Sequence, residues 1–191
     1  MKKTIRTYLL AFFVLFVALA TSALAQSRDH LTPREVELVQ DTQLLDKRIE
    51  VFIRAIERRL MVMNGSEASN AKQLKKEAEL WGDLPKGTRA DLLRDIARIL
   101  DEAITNIDDV SNHDEKNPLL AKAVRRLAAE ATQLRDQLSP LREQAKSEDE
   151  LASLEHLLEN GQSIIDATAK LPPPTADAKG KKKPDKPKEK N

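Results

Sequence analysis

The sequence predicts an all-α protein, an antiparallel bundle of four long helices plus one short helix with a disordered C-terminal tail. Apolar residues recur at alternating spacings of three and four along several stretches, the repeat of a helix with one buried face. Helix-start signals precede these stretches, and no hairpin or βαβ pattern competes with them. The clearest seam is Leu93, Ile96, Leu100, Ala103, Ile107 and Val110, with Leu92, Ile99 and Ile104 widening it on both sides. A stripe that broad meets more than one neighbour, so residues 91–110 are expected near the middle of the bundle.

Residues 1–25 are of a different composition. Lys2, Lys3 and Arg6 precede an apolar run from Tyr8 to Ala20, and Ala23-Leu24-Ala25 stands before Gln26. A basic start, a short apolar core and small residues before the cut are what a translocase and a signal peptidase require. The strongly apolar part, Leu9 to Ala20, is shorter than the roughly 20 residues of a spanning helix, which disfavours an uncleaved anchor. The expected organisation is a signal peptide at 1–25, a helical bundle at 26–170 and a Pro/Lys-rich tail at 171–191, in a periplasmic or secreted protein.

Removing 25 of the 191 residues leaves 166, enough for one domain with a real core. Only Phe52 and Trp81 then remain as aromatic residues. So few rings argue against single-stranded nucleic acid as a partner, since such binders stack bases on aromatic side chains. No cysteine occurs, which excludes disulfides, thiolate metal sites and thiol nucleophiles.

The first helix is expected from Thr32-Pro33-Arg34-Glu35, an N-cap with proline at the first position and an acid at the third, to Met63. Its inward line is Val39, Leu45, Ile49, Phe52, Ile56, Leu60 and Met63, with Arg48, Arg54, Arg58 and Arg59 facing mostly outward. Asn64-Gly65 ends it. A weaker helix over 66–81 turns Ala71, Leu74, Ala78 and Trp81 inward, and two glycines and a proline within residues 82–87 stop it. Thr88 caps the central helix, with Asp91 supporting its first turn.

Asn117-Pro118 opens the next helix, whose seam is Leu120, Val124, Leu127, Ala131, Leu134, Leu138, Leu141 and Ala145. Pro140 falls inside that series. Its register favours a kinked continuous helix over a new segment capped by Ser139. Ser147-Glu148-Asp149-Glu150 starts the last helix, with Leu151, Leu154, Leu158 and Ile165 inward and Leu157 and Ile164 beside them. Gly161 in mid-helix costs about 1 kcal/mol relative to alanine, and a close approach to a neighbouring helix would explain it. The heptad character also leaves room for packing against a second copy of the chain.

Chemistry is less legible. His30, His113 and His156 lack the paired Glu-x-x-His repeats of metal-binding bundles, so His156 with Glu159 is weighed as a surface pair rather than a ligand set. Residues 108–115 (Asp108 to Glu115) are dense in oxygen ligands but lack the glycine and terminal glutamate of a calcium loop. Haem held by Met61 or Met63 with His156 competes with methionine as core filler. No nucleophile has a relay, and no phosphate-cradling glycine loop occurs. The expectation is therefore a non-enzymatic protein with no cofactor or metal.

Charge divides along the chain. From Leu171 onward seven lysines face three acids, a formal +4, whereas residues 26–170 hold 22 basic and 28 acidic residues, a formal −6. Lys179, Lys181, Lys182, Lys183, Lys186, Lys188 and Lys190 form a candidate surface-binding tail for an anionic envelope surface, or one that rests on the protein's own acidic body.

Leu31-Thr32-Pro33-Arg34-Glu35 resembles the Leu-Thr-x-x-Gln motif of small periplasmic helical chaperones of the Spy and CpxP type, with glutamate in place of glutamine. The resemblance covers five residues and implies an exposed concave apolar surface. The primary expectation is a structural or interaction module of the cell envelope, with an unidentified protein or the envelope surface as partner and no transmembrane segment after cleavage. A chaperone-like or stress-related binder is second, and a ligand- or metal-binding bundle third.

Overall fold

The structure, a computed structural model, describes residues 29–171. The expected signal peptide and the seven tail lysines lie outside the described residues. Among those described there is no strand. The helices are α1 (Pro33–Asp41), α2 (Leu45–Met63), α3 (Ala71–Trp81), α4 (Arg89–His113), α5 (Leu120–Leu138) and α6 (Glu148–Ala167), with 3₁₀ segments at Ser139–Gln144 and Thr168–Lys170.

The expected first helix is two helices. Thr42 and Leu44 take extended backbone angles between them, with ψ of 102° and 127°. Arg48 Nε donates to the Thr42 carbonyl at 2.9 Å and Thr42 Oγ1 to the Leu38 carbonyl at 2.7 Å, which satisfies groups the break frees. The gap is visible in the sequence, because the inward line jumps six residues from Val39 to Leu45. At the start of α1, Thr32 and Glu35 form the reciprocal capping pair that the motif promised.

Ile49, Phe52, Ile53 and Ile56 of α2 meet Leu93, Ile96, Ile99 and Leu100 of α4 in the core, joined by Leu127, Ala131, Leu134 and Leu138 of α5 and Leu154, Leu157 and Ile164 of α6. Helix α4 packs on α2, α5 and α6, the central place its broad stripe predicts. Directions follow from paired residues. Arg59 with Asp95 and Arg48 with Asn106 make α2 and α4 antiparallel. Arg94 with Asp149 and Asp101 with His156 make α4 and α6 parallel. Around the bundle α2, α4, α6 and α5 succeed one another, so antiparallel and parallel neighbours alternate rather than every neighbouring pair being antiparallel.

Three finer expectations change. In α3 only Trp81 is buried, while Ala71 and Ala78 are exposed, because this helix approaches only α1 closely, meets α2 through the Arg54 and Arg58 side chains, and stands off the main core. Around Pro140 the α-helix stops at Leu138 and a 3₁₀ segment continues, instead of one kinked α-helix. Proline brings no N–H to donate to the Asp136 carbonyl one turn back, and the chain just before it is capped by Ser139, whose backbone N–H and hydroxyl both donate to the Arg135 carbonyl, the hydroxyl at 2.6 Å. Helix α6 is rotated from its expected face: Leu157 and Ile164 are buried, Leu158 and Ile165 only partly, and Leu151 is exposed.

Gly161 does face a neighbour. A Cβ added there would lie 3.7 Å from Ala131 Cβ of α5, an ordinary contact. One methyl group therefore fits and a longer side chain does not. Urea unfolding should show Gly161→Ala stabilised by about 0.5–1 kcal/mol, while Gly161→Leu loses about 1–3 kcal/mol to overpacking.

Candidate functional site

The most unusual chemistry lies inside the protein. Glu35 is 0% exposed, and Arg58 and Arg59 are each 1% exposed. This corrects the outward placement of the two arginines, whose neighbours Arg48 and Arg54 are also partly covered. Arg59 grips Glu35 with two N–H groups, Nη1 at 3.1 Å and Nη2 at 2.8 Å, and also donates to the Ala55 carbonyl at 2.7 Å and to the His30 carbonyl. Its Nε lies 3.7 Å from Asp95 of α4. The second Glu35 ligand is Arg58, with Nε at 3.3 Å. From there Arg58 Nη2 reaches the carbonyls of Trp81, Gly82 and Asp83, and its guanidinium lies 5.6 Å from the centre of the Trp81 ring.

This cluster joins the lead, α1, α2, α4 and the loop after α3. Two planar cations take one carboxylate from α1, one from α4, and backbone carbonyls from the lead before α1 and the loop after α3. Burial pulls the Arg58 guanidinium below its usual range, and the Glu35 charge opposes that loss. Removing charge from water costs several kcal/mol per ion, which this many oriented partners can offset. Its parts were present in the sequence: Arg59 continues the spacing Phe52, Ile56, Arg59, and Asp95 continues Leu92, Asp95, Ile99. Two opposite charges set into facing apolar seams were the available signal.

Elsewhere the expected candidates disperse. Helix α4 runs on to His113, so Asp108, Asp109 and Asn112 are exposed positions of its last turns rather than a loop, with Asp114 at the cap. Among the described residues no three His, Cys, Asp or Glu side chains gather in a way that could hold a metal ion. Met61 is buried on α2 and Met63 packs against the core, whereas His156 is exposed on α6, which does not touch α2. Asp101, not Glu159, is the partner of His156, at 2.7 Å.

The motif residues behind the chaperone resemblance are all used internally. Leu31 is in the core, Thr32 is the cap and Glu35 is the buried anchor. Among the described residues the exposed large apolar side chains are Leu44 in the connection before α2, Leu80 on α3 and Leu151 on α6. No helix among them is long and apolar enough to cross a membrane. No family model matches the chain, and neither a curated protein nor a solved structure shows significant similarity to it.

A second polar region lies between α2 and α5, where Asp46, Glu50, Lys122, Arg125 and Arg126 line an open groove of about 350 Å³. The Lys122 hydrogen bond holds the Asp46 carboxyl below its usual range. Farther along the same pair of helices burial pushes the Glu130 carboxyl up, Glu57 adds to the rise, and Arg126 opposes it. A carboxylate whose folded form holds its proton more tightly than the unfolded chain costs stability once pH rises through and above 4.5. Glu130→Gln should therefore unfold at higher urea than the parent at pH 7, and the gain should vanish below pH 4.5, where both states of the parent are protonated.

Proposed function

We propose that this chain is an exported, non-enzymatic helical module that acts by contact in the cell envelope, its lysine-rich end drawn to anionic surfaces. One observation carries the reading: apart from the Nε atoms of Arg58 and Arg59, which make ion pairs but no hydrogen bond, the guanidinium N–H groups around Glu35 go to its carboxylate and to backbone carbonyls, which is the chemistry of a scaffold. The leader-like start supports export, with its basic residues, short apolar run and Ala23-Leu24-Ala25. The charge split supports surface attachment, because each lysine held near an anionic membrane adds up to about 1 kcal/mol.

Expression of the full chain in a bacterium, fractionation and amino-terminal sequencing test the first half. The expected product begins at Gln26 in the envelope fraction, and a cytosolic product retaining Met1 contradicts export. Vesicle co-sedimentation tests the second half. Binding to vesicles with about one-quarter anionic lipid should fall with added salt and be lost on truncation after Leu171. Equal binding by the truncated chain contradicts a role for the tail.

A further inference from the structure

Helix α2 begins on a residue that cannot cap it. Its N-cap is Leu44, with no side-chain hydrogen bond to the first turn, whereas Thr32 and Thr88 close capping pairs on α1 and α4. Leucine is a poor choice there, because nothing in its side chain accepts from the orphan N–H groups of a helix start. Leu44 is also 57% exposed, the most exposed large apolar side chain among the described residues. The connection that holds it, Thr42-Gln43-Leu44, contains no glycine or proline to break a helix. Thr42 and Leu44 have φ of −88° and −78°, near helical values, and leave the helix chiefly in ψ.

The break therefore comes from where the apolar faces lie and not from the residues that make it. Nine residues, two and a half turns, separate Val36 from Leu45, so one continuous helix over residues 33–63 would present them on opposite sides. A single body covers both only by folding α1 back along α2, and there Leu31, Val36 and Val39 meet the core. Two bodies have another solution. The segment is held by side chains reaching across a cleft: Glu35 to Arg58 and Arg59, Arg34 to the Leu80 carbonyl, and His30 to Glu102. All of these contacts can form equally well with the segment of another chain.

We propose that the protein exchanges its N-terminal segment, residues 29–41, with a second copy of itself. In the exchanged dimer residues 42–44 join α1 and α2 into one helix, and Glu35 of each chain enters the Arg58 and Arg59 junction of the other. The last carbonyls of α1 then accept from the uncapped N–H groups at the start of α2, which the closed form leaves to other partners. Arg48 is the latch of the closed form, since its Nε donates to the Thr42 carbonyl and its Nη1 to Asn106 of α4. The buried junction makes the exchange selective: two guanidinium groups removed from water accept only a segment that brings a carboxylate to the place of Glu35.

Sedimentation of the purified protein after refolding from urea at low and at high concentration tests this, because chains exchange segments only when they fold in one another's presence. The expected result is a dimer whose share grows with the concentration at refolding. Leu44→Pro is the decisive variant. Its ring suits the φ of −78°, the N–H it removes donates to no described residue, and the side chain it replaces is half exposed, so the closed monomer keeps its fold. In the continuous helix the same proline is interior, and the dimer association constant should fall by about a hundredfold or more. Leu44→Ala, a good helix former, should dimerise at least as strongly as the parent. A parent that stays monomeric after concentrated refolding, or a dimer that persists in Leu44→Pro, overturns the exchange. A second measurement follows the segment itself: Glu35→Gln and Arg59→Met chains, differently tagged, are refolded together in equal amounts. Exchange restores one intact junction in each mixed dimer, so mixed dimers should exceed one half of all dimers. A random one half would mean that every chain keeps its own Glu35, and the proposal would be wrong.

Discussion

The architecture depends on a carboxylate that has no access to water. Glu35 sits at the third position of a nine-residue helix too short to be stable alone, and it fixes that helix through two buried guanidinium groups. The same acid closes the capping pair with Thr32, so the start of α1 and its attachment to the body are one set of hydrogen bonds. Arginine suits the junction because its planar fork can serve a carboxylate and several carbonyls at once without losing its charge. Lysine in either place would leave buried acceptors unpaired.

Adjacent arginines extend the same logic outward. Arg58 holds the chain where it leaves α3, and Arg54 clasps Glu77 within α3 while also bonding Glu57. Arg34 of α1 donates to the Leu80 carbonyl at 2.9 Å. Helix α3 is thus carried on polar contacts and the Trp81 ring, whereas α2, α4, α5 and α6 are joined by apolar packing. The protein combines a greasy four-helix centre with a charged attachment for its smaller elements.

Much of this was legible in the residues. The broad stripe over residues 91–110 gave the central helix, Thr32 and Thr88 gave true caps, and Gly161 marked a real approach to α5. What failed did so for a common reason. Arg58 and Arg59 were placed outward because charge normally seeks water, and only the meeting of α1, α2 and α4 supplies partners that reverse that rule. Likewise Ala71 and Ala78 carry a helical stripe, but the stripe does not say whether a partner exists to cover it. Mixed neighbour directions were beyond periodicity altogether, since a seam records that a face is buried and not which helix buries it. The candidate site was least legible, because its members are scattered over 60 residues and each alone looks like ordinary surface charge.

A double-mutant cycle on Glu35→Gln and Arg59→Met, with unfolding followed by urea and the single tryptophan Trp81 as reporter, is the most direct test. If the buried junction organises the fold, each single variant is strongly destabilised, and the pair recovers a coupling of at least about 2 kcal/mol. Losses that simply add to within about 0.5 kcal/mol would mean that the two side chains do not hold each other.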